Sequence, residues 1–316
     1  MTNFKLLGDP HLGKDFRLGV PSHRRGEREA SQWAAFEASL NDVAGVAYHI
    51  NMGDLFDSFQ VSNEVVLRAA QAYLTATRNN PEVIYFIILG NHDARREAGF
   101  VSSFDLFSAI LAGEENIVIV RDRPWIQYID GGDLLLCPWD PFKSATEMLA
   151  SVDASQITHA FGHWDLETFG GEAPHNLLPY AWFADRPHIE IYTGHIHKRE
   201  VREINGITVN VVGSMQPYAH GEGDLYVTLT LAELEANRDA VKDRVVRLVL
   251  QPGEVLEEPV DCLQFSVQRV RPDQGEEVDQ VELGEFDLKG IFDECFKGNP
   301  LAETVWAEYE KRKNAA

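Results

Sequence analysis

Cysteine is scarce in this sequence, and its three copies stand far apart. They occupy positions Cys137, Cys262 and Cys295, so their number is odd and they form no CxxC pair. This spacing argues against a disulfide framework and a zinc knuckle, because both need paired cysteines. We therefore expect the protein to work in a reducing compartment.

Long apolar runs are also missing. No stretch approaches the ~18 apolar residues that a membrane helix needs. The first residues, MTNFKLLGDPHLG, lack the charged region and the apolar run of a signal peptide. We expect a cytoplasmic protein that does not associate with membranes.

Basic residues are few relative to acidic ones. The 316 residues include 28 Lys and Arg against 50 Asp and Glu, which gives a formal charge of −22 at pH 7. This balance excludes a globally basic nucleic-acid-binding protein, although it leaves room for a locally positive site. A hydrophobic content of 44% with 10% aromatic residues excludes a disordered chain.

Short apolar runs of strand length alternate with helical patterns through the first two thirds of the chain, which predicts a layered α/β fold. The predicted strands are Phe4–Leu7, Val46–Met52, Val83–Leu89, Ile117–Val120, Leu134–Cys137, Ile157–Phe161, Ile189–Thr193, Ile207–Val212 and Leu225–Leu229. The predicted helices are Glu27–Val43, Asn63–Arg78, Ser102–Leu111 and Ser144–Ala150.

The composition and the pattern of predicted elements change near residue 223. Residues 1–222 carry 17 basic and 29 acidic groups, whereas the last 94 residues carry 11 and 21. Further predicted elements are a polar helix at Leu231–Lys242, strands at Val245–Leu250 and Leu263–Val270, an acidic loop at Pro272–Glu285, and helices at Asp287–Phe296 and Leu301–Lys313. We expect a domain of residues 1–222 and a small α+β appendage of residues 223–316.

Clusters rich in Asp, Asn, His and Gly follow five of the predicted strands. They are Asp9-Pro-His11, Gly53-Asp54, Gly90-Asn91-His92-Asp93, Gly162-His163 and Gly194-His195-Ile-His197. Ligand sites of open α/β sheets lie at the carboxyl ends of the strands. If the five strands share one sheet, the clusters meet along one edge.

The residue types in these clusters favour divalent metal ions. Carboxylate and amide oxygens suit hard cations, and neutral imidazole binds Zn, Fe, Mn and related ions. Turn chemistry explains any one cluster by itself, but five in order favour a dinuclear site. Asp54 is the expected bridging ligand between two ions roughly 3.5–4 Å apart, which would clamp a phosphoryl group.

The ordered series of clusters resembles the calcineurin-like metallophosphoesterase superfamily, over roughly residues 4–215. The segments GDLFDS, GNHD, CPWD and GHWDLETFGG are most similar to its DNA-repair exonuclease branch, meaning bacterial SbcD and its phage and eukaryotic relatives. The resemblance implies central β-sheets flanked by helices. It also implies phosphodiester hydrolysis of DNA, by exonuclease and endonuclease action, in the cytoplasm of a bacterial or phage-infected cell.

The resemblance also implies roles for individual residues. One metal ion would bind Asp9, His11, Asp54 and His197, and the other would bind Asp54, Asn91, His163 and His195. His92 would act at the scissile phosphate as a general acid or transition-state donor, with Asp93 as its orienting partner. The family normally uses Mn²⁺, and the ligand types also permit Mg²⁺, Fe²⁺ or Zn²⁺.

Basic residues follow three of the clusters. The candidates for DNA contact are Arg24, Arg25, Arg95, Arg96, Lys198 and Arg199. At the metal edge they would grip backbone phosphates without reading sequence. Ordinary solvated surface is the alternative interpretation.

The resemblance further implies protein partners. In the family, a C-terminal segment docks on an SMC-like ABC ATPase, called SbcC in bacteria. Here the two predicted helices on either side of Gly298–Pro300 have apolar residues at helical spacing, which suits such docking or packing on the protein's own core. A homodimer through Asn63–Arg78 or Ser102–Leu111 is a further expectation.

Three functions therefore stay open at this point. The first is a metal-dependent DNA nuclease that serves as the nuclease subunit of an SbcCD-type complex in DNA repair and recombination. The second is a metallophosphodiesterase acting on a small nucleotide or other phosphoester. The third is a non-catalytic scaffold, although such a protein would be expected to have lost ligands, and every ligand position is filled.

Overall fold

Two stacked β-sheets form the centre of the chain up to Arg269. The structure is a computed structural model, and it describes residues 3–95, 97, 99–167, 175–270, 289, 292, 297 and 302–313. By internal contacts the chain divides into two compact units, Met1–Arg269 and Val270–Ala316.

The first sheet is entirely parallel. Its strands are β1 (Phe4–Leu7), β2 (Tyr48–Asn51), β3 (Ile84–Ile88) and β4 (Ile117–Val120), in the order β1-β2-β3-β4. Its outer face is covered by α1 (Glu27–Asn41), α2 (Asn63–Asn79) and α3 (Ser103–Ile110). Fully buried aromatic rings such as Phe36, Tyr73 and Phe107 fill the space between sheet and helices. Ser102 and Asp105 form a capping box that fixes the start of α3.

The second sheet has six strands of mixed direction. They are β5 (Trp125–Gln127), β6 (Asp133–Cys137), β7 (Ile157–Gly162), β8 (Glu190–Thr193), β9 (Glu200–Ile204) and β10 (Ile207–Val211), in the order β5-β6-β7-β8-β10-β9. The short helices α4 (Ala145–Leu149) and α5 (Tyr180–Ala184) pack on its outer face.

The two sheets pack face to face through an apolar layer. Ile50 and Phe86 from the first sheet contact Leu136 and Phe161 from the second, and all four side chains are fully buried. The result is a four-layer arrangement of helices, sheet, sheet and helices, so the mixed α/β fold that the sequence predicted is confirmed.

The five polar clusters do not share one sheet. Three follow β1, β2 and β3 of the first sheet, and two follow β7 and β8 of the second. They meet because the sheets are stacked with these strand ends on the same side. Hydrogen bonds join the two edges directly; in one of them, His163 Nδ1 donates to the carbonyl oxygen of Met52 at 3.0 Å.

A third, smaller parallel sheet begins at Tyr226. It comprises β11 (Tyr226–Thr230), α6 (Leu231–Ala236), a 3₁₀ turn (Arg238–Val241), β12 (Val245–Leu250) and β13 (Gln264–Arg269). It encloses its own core, which includes Val246 and Leu248. This sheet belongs to the first compact unit, and the Phe265 N–H donates to the Gly19 carbonyl at 2.8 Å. The domain division after residue 222 stays a prediction.

The second compact unit contains the helix α7 (Ala302–Lys313). The predicted loop Pro272–Glu285 lies outside the described residues, as does the predicted helix Asp287–Phe296 apart from Lys289 and Phe292. Among the residues that are described, no helix is long and apolar enough to cross a membrane.

The end of β7 generates a prediction about the core beneath the site. A Cβ atom added to Gly162 would lie 2.4 Å from Cε2 of the fully buried Trp164 ring. We expect Gly162→Ala to lower the free energy of unfolding by about 1–3 kcal/mol, as overpacking does. Urea denaturation of the metal-free protein measures this.

The matched control is Trp164→Phe, because it removes part of the indole ring that the new methyl group at position 162 would meet. In a double-mutant cycle with Trp164→Phe, the double variant should lose less stability than the two single losses summed. Additive losses would show that the clash does not determine the packing at this position.

Candidate metal centre

Side chains from both sheets converge beyond the carboxyl ends of their strands. The Nε2 atoms of His11 and His197 are 3.0 Å apart, and His197 Nε2 lies 3.7 Å from Asp9 Oδ2. Asp54 Oδ2 lies 3.9 Å from His11 Nε2. These four side chains form the first candidate ligand set.

A second set adjoins the first through Asp54. His163 Nε2 lies 3.3 Å from Asp54 Oδ2 and 2.8 Å from Asn91 Oδ1. His195 Nδ1 lies 2.9 Å from the same amide oxygen. The structure thus brings together all seven residues that the sequence nominated as metal ligands, with Asp54 between the two sets.

Asp9 provides the test of whether these residues fit a cation. Its carboxylate is fully buried, and neither oxygen has a hydrogen-bond partner among the described residues. A buried carboxylate left unpaired is strongly unfavourable. Imidazole and carboxylate atoms in this region approach within 4.8 Å of one another in two separate groups, Asp9-His11-His197 and Asp54-His163-His195. A third group, His11-Asp54-His92, overlaps both. The donor set therefore fits two divalent cations.

The charges within the two sets depend on one another. Burial raises the pKa of Asp9. Burial acts on Asp54 in the same direction, but His163 and His11 lower the pKa of this carboxyl below its usual range. For His163, burial lowers the pKa while Asp54 and Asp9 raise it to about 10. The carboxylates thus draw positive charge into the cavity, which metal ions would supply in place of protons.

The backbone at the site adopts conformations that most residues avoid. His11, Asp54 and His195 have φ values of 47°, 48° and 69°, in the left-handed region where a non-glycine residue costs about 1–3 kcal/mol. Gly90 permits the close approach of two loops, because a Cβ there would lie 2.1 Å from the Asp54 nitrogen. Three of the four non-glycine residues with positive φ in the described part of the chain are thus candidate ligands.

Two carboxylates that the sequence analysis missed hold the partly exposed histidines. Asp165 Oδ1 accepts a hydrogen bond from His195 Nε2 at 2.8 Å, and Glu222 Oε1 accepts one from His197 Nδ1 at 3.2 Å. The second oxygen of Glu222 accepts from the Tyr218 N–H at 2.6 Å. A carboxylate on the far nitrogen fixes the tautomer and orientation of a ligating imidazole.

Only one of these two carboxylates had a sequence signal. Asp165 stands two residues after His163 in GHWD, whereas Glu222 lies 25 positions after His197 in a glycine-rich loop. Gln32 was also missed: its buried amide nitrogen lies 2.9 Å from the carbonyl oxygens of both Pro10 and His11. A polar residue on a helix gives no sign in sequence that it fixes a distant loop.

His92 is exposed beside the two ligand sets. Its backbone N–H donates to Asp54 Oδ1 at 2.8 Å, and its Nδ1 donates to the Asp57 carbonyl at 2.7 Å. Since Nδ1 is engaged by an acceptor, Nε2 is the nitrogen available to a substrate. Asp57 also approaches His11 Nδ1 at 3.4 Å through its side chain.

Asp93, nominated as the orienting partner of His92, has different partners. Its buried carboxylate accepts hydrogen bonds from the backbone N–H groups of Leu55, Phe56 and Gly90 at 3.2, 2.9 and 3.0 Å. Asp93 thus fastens the loop after β2 to the loop after β3. The Asp57 carbonyl takes the orienting position on His92, because the Asp93 oxygens face the backbone.

The nominated cations divide into free and paired groups. Four are exposed and form no ion pair within the described part of the chain: Arg25, Arg95, Lys198 and Arg199. Arg24 is not free, because it forms ion pairs with Glu27 at 2.9 Å and with Asp243 at 3.0 Å. Arg96 lies outside the described residues.

The outer carboxylates yield a prediction about metal affinity. We expect Asp165→Asn and Glu222→Gln each to weaken Mn²⁺ binding at one of two sites by about 10–100-fold, as loss of a histidine's carboxylate partner does. Isothermal titration calorimetry on metal-free protein measures this. Glu167→Gln is the control, since Glu167 is exposed and pairs with Arg202. Affinities equal to wild type in both variants would contradict the assigned role.

Comparison with known proteins gives three kinds of match. The family model described as calcineurin-like phosphoesterase matches residues 2–199. "Exonuclease subunit 1" of Enterobacteria phage T4 is 27% identical over 194 residues, which cover 60% of this chain and 54% of the phage protein. The chain therefore spans about half the length of that relative.

Two solved structures that match the chain have low sequence identity and TM-scores below 0.5. An archaeal phosphodiesterase is 17% identical with a TM-score of 0.31, over 69% of this chain and 87% of its own. GAP50 of Plasmodium is 15% identical with a TM-score of 0.38, over 71% of this chain and 75% of its own. Because the family model covers well over half of the sequence, the chain belongs to the calcineurin-like phosphoesterase family.

Proposed function

We propose that this protein is a dinuclear-metal-dependent DNA nuclease. The observation that carries the proposal is the convergence of two Asp/His ligand sets on Asp54 beside the exposed His92. The similarity to a phage protein named as an exonuclease subunit supports a nucleic acid as the substrate. We propose Mn²⁺ as the metal, bound through Asp9, His11, Asp54 and His197 at one position and Asp54, Asn91, His163 and His195 at the other.

The site contributes orientation and charge to phosphodiester hydrolysis. When bound, the two metal ions supply a clamp on the phosphoryl group and a nucleophile at neutral pH. The protein holds His195 and His197 rigid through Asp165 and Glu222. Burial of Asp9 and Asp54 keeps water away from the carboxylates, which strengthens their attraction for cations.

His92 is the residue that we assign to proton transfer. Its Nδ1 is fixed by the Asp57 carbonyl, so a proton on Nε2 is the one that can reach the leaving oxygen. Its exposure places this nitrogen where a substrate can approach.

The free cations support a polymeric substrate. Arg95, Lys198 and Arg199 belong to the same loops as ligands of the two sets. Arginine and lysine beside a catalytic centre bind backbone phosphates independently of sequence. A substrate with one phosphate would not need them.

The assignment of His92 can be tested with two substrates. We expect His92→Ala to reduce hydrolysis of end-labelled duplex DNA in Mn²⁺ by about 10²–10⁴-fold, the usual contribution of general acid–base catalysis. Mn²⁺ affinity should stay near that of wild type. His188→Ala, at an exposed position outside the ligand sets, is the control.

Each substrate separates one alternative. Wild-type hydrolysis of bis(p-nitrophenyl) phosphate without hydrolysis of DNA would favour a small phosphoester substrate. No hydrolysis of either, with or without the ATPase partner, would favour a scaffold. Full activity of His92→Ala would contradict only the role assigned to His92 and would leave the nuclease proposal in place.

We further propose that the C-terminal segment docks on an SMC-like ABC ATPase, making this chain the nuclease subunit of a repair and recombination complex. The relative's name as a subunit supports a multi-chain assembly. On α7, Val305 and Tyr309 are exposed at 53% and 41% although both are apolar. The Trp306 ring lies 5.1 Å from the Phe292 ring, so this unit has aromatic contacts of its own. A homodimer through α2 or α3 stays a prediction.

Docking predicts a loss of binding on substitution of α7. We expect Val305→Asp combined with Tyr309→Asp to weaken capture of the cognate SMC-like ATPase at least tenfold, since two charges would enter an apolar contact. Pull-down with the full-length chain measures this. Glu303→Gln on the same exposed helix is the control. Unchanged capture by the double variant would contradict docking through α7.

A further inference from the structure

A pocket of about 320 Å³ borders Tyr218, whose ring centroid also lies 5.2 Å from that of His11. We call it the Tyr218 pocket. Its walls come from the loop after β1, the first turn of α1, the loop after β10 and the third sheet. Three of its lining residues are cationic: Lys14, Arg28 and Arg247. No ligand set of the metal centre includes any of them.

Arg28 is a buried cation whose partners are neutral. Only 6% of the residue is exposed. Its guanidinium donates to Gln264 Oε1 at 2.7 Å and to the Tyr226 hydroxyl at 2.9 Å, and it lies 3.9 Å from the centre of the Phe16 ring. Within the described residues no carboxylate pairs with it. A buried guanidinium without an anion is costly, so the pocket has an unmet demand for negative charge.

Arg247 adds a second cation without a counter-ion. It is half-buried on β12 and forms no ion pair with the described residues. Burial and Arg247 together lower the pKa of His220, which also lines the pocket. Lys14 is partly balanced, because its Nζ lies 3.0 Å from Asp57 Oδ1.

The remaining charged group in the pocket does not cancel this excess. Asp15 is exposed, and its carboxylate pairs with Arg17 at 3.5 Å. The pocket is therefore locally positive in a protein whose formal charge is −22. Glu222 lies next to this lining, since its carboxylate accepts hydrogen bonds from the Tyr218 and Ala219 N–H groups at 2.6 and 3.1 Å. Within the described residues, however, no carboxylate pairs with Arg28 or Arg247, which favours an anionic ligand at these two cations.

We propose that the Tyr218 pocket binds a phosphate group through Arg247 and Arg28. The planar arginine fork matches phosphate geometry. The aromatic faces are already covered, since Arg28 lies over Phe16 and over Tyr226 at 5.3 Å, which favours a phosphate over a stacked base. Two sources fit this chemistry, a backbone phosphate of the DNA strand and a free phosphate. The DNA source rests on the nuclease function proposed above.

The first experiment compares the affinity for single-stranded DNA with and without Arg247→Gln. Both proteins carry His92→Ala, which is expected to slow hydrolysis so that the DNA stays intact during the measurement. Anisotropy of a fluorescein-labelled 12-mer in Mn²⁺ is measured at several NaCl concentrations. We expect about tenfold weaker binding at low salt, as for a lost hydrogen bond to a charged group. The negative slope of log K against log salt should become shallower by about 0.7, the value for one phosphate contact on a single strand.

Two further variants separate a lost phosphate contact from a disturbed fold. Arg269→Gln makes the same charge change on the exposed end of β13, outside the pocket, and should leave the slope unchanged. Arg247→Lys keeps the charge and should recover most of the slope. An unchanged slope in Arg247→Gln, or an equal loss in Arg269→Gln, would overturn a DNA source.

The second experiment does not depend on nuclease function. Inorganic phosphate, compared with NaCl of equal ionic strength, should raise the melting temperature of metal-free wild-type protein and of Arg269→Gln, but not that of Arg247→Gln. If phosphate stabilises the wild-type protein in this way and Arg247→Gln leaves the salt dependence of DNA binding unchanged, the pocket binds free phosphate and not a phosphate of DNA. If Arg247→Gln alters neither the slope nor the phosphate response, the proposal is wrong, whatever the DNA hydrolysis assay shows.

Discussion

The buried carboxylates Asp9 and Asp54 are the constraint on which the rest of the site depends. Both are shielded from solvent, and Asp9 has no hydrogen-bond donor within the described chain. Their charge has to be met by cations, because burying it otherwise would cost several kcal/mol. The histidines around them, the left-handed backbone at His11 and the close approach at Gly90 place further candidate ligand groups beside these two carboxylates.

Hydrogen bonds outside the ligand sets hold the loops and histidines of the site in place. Asp93 binds two loops of the first sheet together, and His163 links the second sheet to the Met52 carbonyl. Asp165 and Glu222 then orient the more exposed imidazoles from the second sheet and its following loop. A dinuclear centre assembled from two sheets needs such ties, since neither sheet alone holds both ligand sets.

Local pairing decides what the charge of −22 means for substrate binding. Arg24, Arg25 and Arg28 are close together in sequence, but Arg24 pairs with acidic residues and Arg28 is buried against aromatic rings. Arg25 is exposed and unpaired within the described residues. Cations available to phosphate are therefore few and specifically placed, while the acidic surface disfavours nonspecific binding to nucleic acid.

The sequence by itself determined the strands and the polar clusters that follow them, because apolar runs and the Asp, Asn and His after them are local signals. The choice of seven candidate ligands within those clusters came from the family resemblance. The sequence did not determine that the strands belong to two sheets, since face-to-face stacking depends on side chains such as Phe86 and Leu136 that are distant in sequence. Nor did it identify Glu222 or reassign the partner of His92 from Asp93 to Asp57. Those contacts join loops that only the tertiary structure brings together, and a carboxylate carries no mark of which distant donor it will meet.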